Sequence, residues 1–235
     1  FPMDEIYGIH NMPGWPEGNL LTRPGALMAS EDNFVITIKG LGGHASRPQL
    51  VIDPITVAAQ VIQGLQTIVS RSIDPALSGV VSCTEIFTDG SRNAIPSEVV
   101  IKGDTRSFDS DVQKTIEKRM RELVSGICQA HGASGTVDYT FEFEPTFNDP
   151  LATEYAIRAA QKVVGDAKVD GNCPQFMGSE DFGVFAKHIP ACFMFLGMGQ
   201  EHTPLHNSEY NFNDRVLEIG VDFYVEIVKS RLADK

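Results

Sequence analysis

The sequence has no apolar run near the roughly 20 residues that a membrane helix needs, and it has no dense basic stretch. Its 235 residues include 19 Lys and Arg against 31 Asp and Glu, a formal net charge of -12 at pH 7. An acidic field of this kind repels nucleic acid and anionic membranes. We therefore expect neither nucleic acid nor a membrane among the partners of the protein.

Cysteine is also scarce. The four cysteines, Cys83, Cys128, Cys173 and Cys192, never form the Cys-x-x-Cys pair of a zinc knuckle or redox motif. The first four residues have neither the basic region nor the apolar core of a signal peptide. The simplest interpretation is a cytoplasmic protein whose thiols are reduced.

The central part of the chain, residues 28–144, is typical of one self-contained unit. Apolar residues that alternate with polar ones predict its strands, and apolar residues at helical spacing predict its helices. The predicted elements are a strand near 34–38, a helix beginning at Asp53-Pro54, strands near 80–87 and 98–107, a helix from about 110 to 132, and a strand over 137–143. This order, βαββαβ, predicts a ferredoxin-like sheet with helices on one face. Its edge strands favour a homodimer.

The flanking segments, 1–27 and 145–235, indicate a second domain of the α/β class. We predict a helix from Pro150 to Gly165, a strand over the continuous apolar run Ala191–Leu196, and a last helix over 214–232. Because 1–27 is too short to fold alone, we interpret the two segments as the ends of one domain, interrupted by 28–144 and lacking its beginning.

Two histidines, His10 and His206, each precede an asparagine near the end of a predicted strand or in the loop beyond it. Catalytic zinc sites take imidazole ligands from such loops and leave a position open for water. Taken singly, each histidine is better explained as a loop residue that hydrogen bonds to the backbone. His202 precedes His206 by four residues, but the intervening Pro204 argues against a helix that would align the pair.

Three further side chains are candidates for chemistry. His44 lies in a glycine-rich turn that either presents an imidazole to a substrate or is a simple surface turn. Asn93 and Arg106 flank a predicted strand, and the planar guanidinium of Arg106 suits a substrate carboxylate. Spacing alone favours an ordinary ion pair of Arg106 with Asp104 or Asp109.

The segment Met177–Phe182 is typical of a helix start with Ser179 as its N-cap. A role in a pocket is the second interpretation of this segment. Two other histidines, His131 and His188, lie near predicted helix ends and have the context of structural residues.

Six motifs together resemble the aminoacylase and glutamate carboxypeptidase family of two-metal peptidases, most closely its hippurate hydrolases, N-acyl-amino-acid amidohydrolases and auxin-conjugate hydrolases. In chain order they are Ile9-His10-Asn11, Gly42-Gly43-His44-Ala45-Ser46-Arg47-Pro48, Asn93-Ala94-Ile95-Pro96, Gly103-Asp104-Thr105-Arg106, Met177-Gly178-Ser179-Glu180-Asp181-Phe182, and His206-Asn207-Ser208-Glu209-Tyr210-Asn211-Phe212-Asn213-Asp214. The resemblance implies a partial zinc-peptidase-like catalytic α/β domain with an inserted ferredoxin-like domain that acts as lid and dimerisation domain.

The resemblance also implies roles for the candidate residues. His10 and His206 would be ligands of a centre of two divalent ions, zinc, manganese, nickel or cobalt. His44 would polarise the scissile carbonyl in the partner subunit of a homodimer, and Asn93 and Arg106 would hold the substrate, an N-acyl amino acid or a small peptide. The implied reaction is hydrolysis of its amide bond by a metal-activated water.

The chain departs from the family in one respect. The family's Cys-Gly-His-Asp-Gly-His motif and its paired-glutamate motif, which supply the other metal ligands and the general base, have no match in these 235 residues. We therefore expect the full-length protein to be a hydrolase, and the isolated chain to bind metal poorly and to be inactive. The alternatives are a dimerising or binding remnant without catalysis, and another activity of the family such as a dipeptidase or deacetylase.

Overall fold

A computed structural model describes residues 3–232 of the chain, so the outermost ends of the predicted segments 1–27 and 145–235 lie outside the described residues. The described strands are β1 (Ile6–Met12), β2 (Leu20–Leu21), β3 (Gly25–Met28), β4 (Glu31–Lys39), β5 (Gly43–His44), β6 (Gly79–Thr88), β7 (Ala94–Ile95), β8 (Glu98–Ser107), β9 (Ser134–Phe143), β10 (Thr146–Asn148), β11 (Val169–Asp170) and β12 (Ala191–Gly197). The described helices are α1 (Pro54–Ser72), α2 (Ser110–Ala130), α3 (Pro150–Val164), α4 (Gly183–Ala186) and α5 (Leu217–Leu232). This mixture confirms the predicted α/β class.

The chain forms two compact units. One contains the described residues up to Met28, then Thr146–Phe176, and those from Glu180 onward. The other contains Ala29–Pro145 together with the short segment Met177–Ser179, which the sequence places in the flanking domain. None of the helices described within 3–232 combines the length and the apolar character needed to cross a bilayer. All four cysteines are free thiols, as predicted, and the cytoplasmic location stays a prediction.

The central unit is built on a four-stranded antiparallel sheet in the order β6-β8-β4-β9. The inward residues of β4 alternate as predicted, because successive side chains of a strand point to opposite faces. They share one core with residues of α1 and α2, including Phe34, Ile36, Ile38, Val61, Leu65, Ile116 and Met120. The predicted element order βαββαβ is therefore confirmed, with the short pair β5 and β7 added between its members.

The central unit also buries a carboxylate, Asp32, whose side chain is shielded from solvent. Its Oδ1 accepts a hydrogen bond from Nε2 of Gln113 at 2.6 Å, and its Oδ2 accepts from the hydroxyls of Tyr139 at 2.9 Å and Thr105 at 3.2 Å. Burial raises the pKa of Asp32, and the three donors oppose that rise because they favour the charged form. Folding therefore binds a proton more tightly at this carboxyl group.

The raised pKa gives Asp32 a defined effect on stability. A folded-state pKa above the unfolded value of about 3.9 means that stabilisation present at lower pH is lost as the pH rises through the folded-state pKa. Above about pH 4, we expect the free energy of unfolding to fall less steeply with rising pH in Asp32→Asn than in the wild type. The measurement is urea unfolding followed by far-UV circular dichroism at a series of pH values. Asp138→Asn, at an exposed position of β9, is the matched control. Identical slopes for wild type and Asp32→Asn would contradict this reading.

The other unit contains a sheet in the order β1-β12-β2-β11, in which β1 and β12 run parallel. Every residue of β12 is buried, as the apolar run predicted. Helix α3 begins after the N-cap Asp149, whose side chain accepts from the backbone N–H of Leu151 and Ala152. The last helix, α5, begins three residues later than predicted, because 214–216 form a 3-10 turn capped by Asn213.

A buried amide, Asn148, connects three parts of this unit. Its Oδ1 accepts from the backbone N–H of Phe193 at 2.7 Å, and its Nδ2 donates to the backbone oxygens of Phe193 and Arg23 and to Oγ1 of Thr22, each at 3.0 Å. The side chain thereby satisfies backbone groups of β12 that strand pairing does not reach. No local sequence pattern singles out this residue.

Candidate functional site

The imidazole of His10 lies near the carboxyl end of β1, where His10 is paired with Phe195 of β12. The carboxyl ends of parallel strands are the usual location of sites in α/β sheets. Its Nδ1 lies 2.7 Å from the backbone oxygen of Asn11. Because a carbonyl oxygen only accepts hydrogen bonds, Nδ1 donates, and the neutral ring keeps its lone pair on Nε2. Metal-binding histidines are commonly oriented in this way.

A carboxylate, Glu180, faces the same ring. Its Oε2 lies 3.9 Å from Nε2 of His10, and both side chains are about one quarter exposed, at 24% and 28%. Burial is the largest cause that raises the pKa of Glu180, Asp181 raises it further, and His10 lowers it. A pocket role is the second interpretation of this segment from sequence, and Glu180 lies beside the ring of His10.

The preferred interpretation of the same segment, a helix start capped by Ser179, was wrong. The short helix α4 begins at Gly183 and has no side-chain N-cap. The hydroxyl of Ser179 instead contacts Glu31 and Arg106 within the central unit. Serine is a common helix N-cap, but here the hydroxyl of Ser179 hydrogen bonds to two charged side chains that are distant in sequence.

His206 is exposed in the loop that follows β12, and among residues 3–232 it is the one non-glycine residue with positive φ, at 60°. Residues other than glycine adopt this left-handed backbone conformation at a free-energy cost of about 1 kcal/mol or more. Residues in such conformations concentrate at functional sites. The loop is joined to β1, since Nδ2 of Asn11 donates to the hydroxyl of Tyr210. The ring of His202 lies against that of Tyr210, with centroids 5.4 Å apart.

These residues fit a metal site only in part. The ring orientation of His10 suits a ligand, and the loop of His206 is tied to the strand that carries His10. Across residues 3–232, however, no three His, Cys, Asp or Glu side chains stand close enough together to hold a metal ion. A complete metal centre therefore needs ligands besides those that this part of the chain brings together.

In the central unit, the structure brings His44 and Asn93 together. Strands β5 and β7 pair His44 with Ala94, and the backbone N–H of Ala45 donates to the oxygen of Asn93 at 3.0 Å. Gly42 permits this approach, because a Cβ at that position would lie 2.8 Å from the oxygen of Ile95. The glycine-rich turn is thus held against a second loop.

Arg106 is engaged by two carboxylates. Its Nε lies 2.7 Å from Oδ2 of Asp104, and its Nη1 lies 2.9 Å from Oε2 of Glu31 and 3.1 Å from Oγ of Ser179. The ion pair with Asp104 is the alternative that spacing favoured, and Asp109 instead caps α2. The role of Arg106 at a substrate carboxylate stays a prediction.

His131 and His188, the two histidines predicted to be structural, lie outside the groups of residues described above. His131 follows α2 and hydrogen bonds to the side chain of Gln60 at 2.9 Å. His188 is exposed beside the turn that precedes β12.

These features define an α/β protein whose sheet carries a histidine near its carboxyl edge and whose sequence is interrupted by a βαββαβ unit. The chain belongs to Peptidase family M20/M25/M40, whose model matches residues 1–230. The resemblance stated from the six motifs is thereby confirmed.

Named relatives show the range of the family. The chain is 34% identical over 227 residues to a hippurate hydrolase of Campylobacter jejuni, covering 97% of this chain and 59% of that protein. It is 35% identical over 233 residues to an N-acetyldiaminopimelate deacetylase of Leuconostoc citreum, covering 98% and 59%. A solved Bacillus subtilis structure, described as a dinuclear metal-binding peptidase of the M20 family, matches with a TM-score of 0.79 and 28% identity, covering 95% of this chain and 56% of that one. The chain thus spans somewhat more than half the length of these relatives.

Proposed function

We propose that the whole protein is a metal-dependent amidohydrolase that cleaves the amide bond of N-acyl amino acids. The observation that carries the proposal is the similarity, at 34% and 35% identity over nearly the whole chain, to a hippurate hydrolase and an N-acetyldiaminopimelate deacetylase. Both names describe removal of an acyl group from an amino acid. The Nε2 lone pair of His10 at the carboxyl end of β1 supports a metal role.

Each candidate residue has a part in this proposal. His10 and His206 would hold divalent metal together with ligands beyond those grouped in residues 3–232. A metal bound there supplies a water of lowered pKa and an electrophile for the carbonyl oxygen. His44, acting in the partner subunit of a homodimer, donates a hydrogen bond to that oxygen. Asn93 and Arg106 orient the substrate, with Arg106 at the carboxylate of the amino acid.

We also propose that the protein forms a homodimer through its central unit. Strand β6 lies at one edge of the four-stranded sheet, and its Ile86 and Phe87 are 58% and 50% exposed. An exposed edge with apolar side chains favours pairing with a second copy. Sedimentation is expected to give a dimer at micromolar concentration, and a monomer there would contradict this part of the proposal.

The activity is tested on the full-length protein with three substrate groups: N-benzoylglycine, N-acetyl amino acids and unmodified dipeptides. We expect release of the free amino acid from at least one acylated substrate, loss of that release with a chelator, and recovery on addition of zinc, manganese, nickel or cobalt. Hydrolysis of dipeptides alone would replace the proposal with a dipeptidase. Substrate binding without turnover under every metal would indicate a protein that has lost catalysis.

The 235-residue chain by itself is expected to release no amino acid from the same substrates. Because residues 3–232 group no three potential ligands, we expect its metal affinity in calorimetric titration to be about 100-fold or more below that of the full-length protein. The control is the full-length protein titrated in the same buffer. Clear turnover by the isolated chain would overturn this expectation.

A further inference from the structure

The side chain of His44 is held by the residue two positions later. The backbone nitrogen of Ser46 lies 3.2 Å from Nδ1 of His44, and the hydroxyl oxygen of Ser46 lies 2.8 Å from the same atom. A backbone N–H can only donate a hydrogen bond. Nδ1 of His44 therefore accepts, and the hydroxyl of Ser46 has the geometry to add a second donor to it.

This arrangement selects one tautomer of the neutral ring. With Nδ1 unprotonated, the proton of the neutral imidazole is on Nε2, which becomes a hydrogen-bond donor. His10 has the opposite arrangement, because its Nδ1 donates to a carbonyl oxygen and its Nε2 keeps the lone pair. The two histidines are thus prepared for different tasks, His10 as a ligand and His44 as a donor.

The backbone of this turn is fixed by its own hydrogen bonds. The N–H of Arg47 donates to the oxygen of His44 at 2.9 Å, and the N–H of Ala45 donates to the oxygen of Asn93 at 3.0 Å. A 3-10 turn beginning at Pro48 follows directly. These backbone contacts hold the amide of Ser46 beside His44, and both side chains are exposed.

We propose that Ser46 is a positioning residue for the reaction: its amide and hydroxyl hold His44 in the Nε2–H tautomer, so that this proton points outward to the substrate. The inference rests on the proposed role of His44 as a donor to the oxygen of the scissile amide. A donor already oriented before the substrate arrives stabilises developing negative charge without reorganisation. Ser46 itself touches no reacting atom.

The tautomer is measured directly by two-bond ¹H–¹⁵N correlation spectra of the chain labelled in its histidine rings, at a pH where the rings are neutral. We expect His44 to show the pattern of a ring protonated at Nε2. His131, whose ring nitrogen hydrogen bonds to the side chain of Gln60, serves as the comparison. A ring protonated at Nδ1, or an even mixture of both tautomers, would overturn the proposal.

Kinetics of the full-length enzyme provide the second test, with Ser46→Ala and Ser46→Thr. Ser46→Ala keeps the amide and loses the hydroxyl, so we expect kcat to fall about three- to tenfold, which corresponds to one hydrogen bond of ordinary strength, with KM within about twofold. Its spectrum is expected to show the second tautomer. Ser46→Thr is expected to restore both values.

The outcomes separate the two ideas. An unchanged kcat and an unchanged spectrum in Ser46→Ala would overturn the positioning role, and a loss confined to KM would do the same. If the full-length protein hydrolyses no acylated substrate, the proposed function fails, while the spectrum still decides which tautomer Ser46 imposes.

Discussion

Replacing His10 with alanine in the full-length protein is expected to lower kcat/KM for an N-acyl amino acid by at least about 100-fold and to lower the bound metal measured by mass spectrometry. Even the loss of an outer partner of a metal ligand costs up to about that factor. The change removes the Nε2 lone pair near the carboxyl end of β1, which the proposal assigns to the metal.

The matched control for this variant is His188→Ala, since His188 is exposed and belongs to the same unit. Its kcat/KM and metal content should stay within about twofold of the wild type, as for most surface substitutions. If His10→Ala retained full metal content and full activity, His10 would be a structural histidine and the proposed metal role would be wrong.

Replacing Asn148 with alanine is expected to lower the free energy of unfolding by about 3 kcal/mol, because the buried N–H of Phe193 loses its acceptor and the oxygens of Phe193 and Arg23 each lose a donor. Urea unfolding is followed through the fluorescence of the single tryptophan, Trp15, which belongs to the same unit. This probe reports on that unit even if the two units unfold separately.

The control for Asn148→Ala is Asn172→Ala, at an exposed loop position of the same unit. It should change the unfolding free energy by no more than about 0.5 kcal/mol. An equal decrease in the free energy of unfolding in both variants would show that the hydrogen bonds of Asn148 do not stabilise the fold more than an exposed asparagine does.

The elements of this fold were predictable where a local pattern decides them. The continuous apolar run of β12 indicated a strand buried on both faces, and the alternation over 137–143 indicated the strand β9. Asp53-Pro54 marked the first turn of α1, and Asp53 indeed accepts from the N–H of Ile55. In each case the information lies within a few residues of the chain.

The partners of the site were not predictable in this way, because they are far apart in sequence. Glu31 and Ser179 meet across 148 positions, and no local rule distinguishes that serine from a helix cap. Asn148 precedes an Asp-Pro pair, so its local context indicates a turn and conceals its contacts with Phe193, 45 positions later. The positive φ of His206 likewise follows from the loop as a whole.

The ion pairs of Arg106 have a consequence for any anion that binds there. Asp104 and Glu31 together carry one more negative charge than the guanidinium can neutralise. Both carboxylates belong to the same unit as Arg106. Each therefore competes with an incoming anion for the guanidinium, at an effective concentration on the order of millimolar. An incoming carboxylate must exchange with one of them. Under the role proposed for Arg106, such exchange favours release of an amino-acid product over its tight retention.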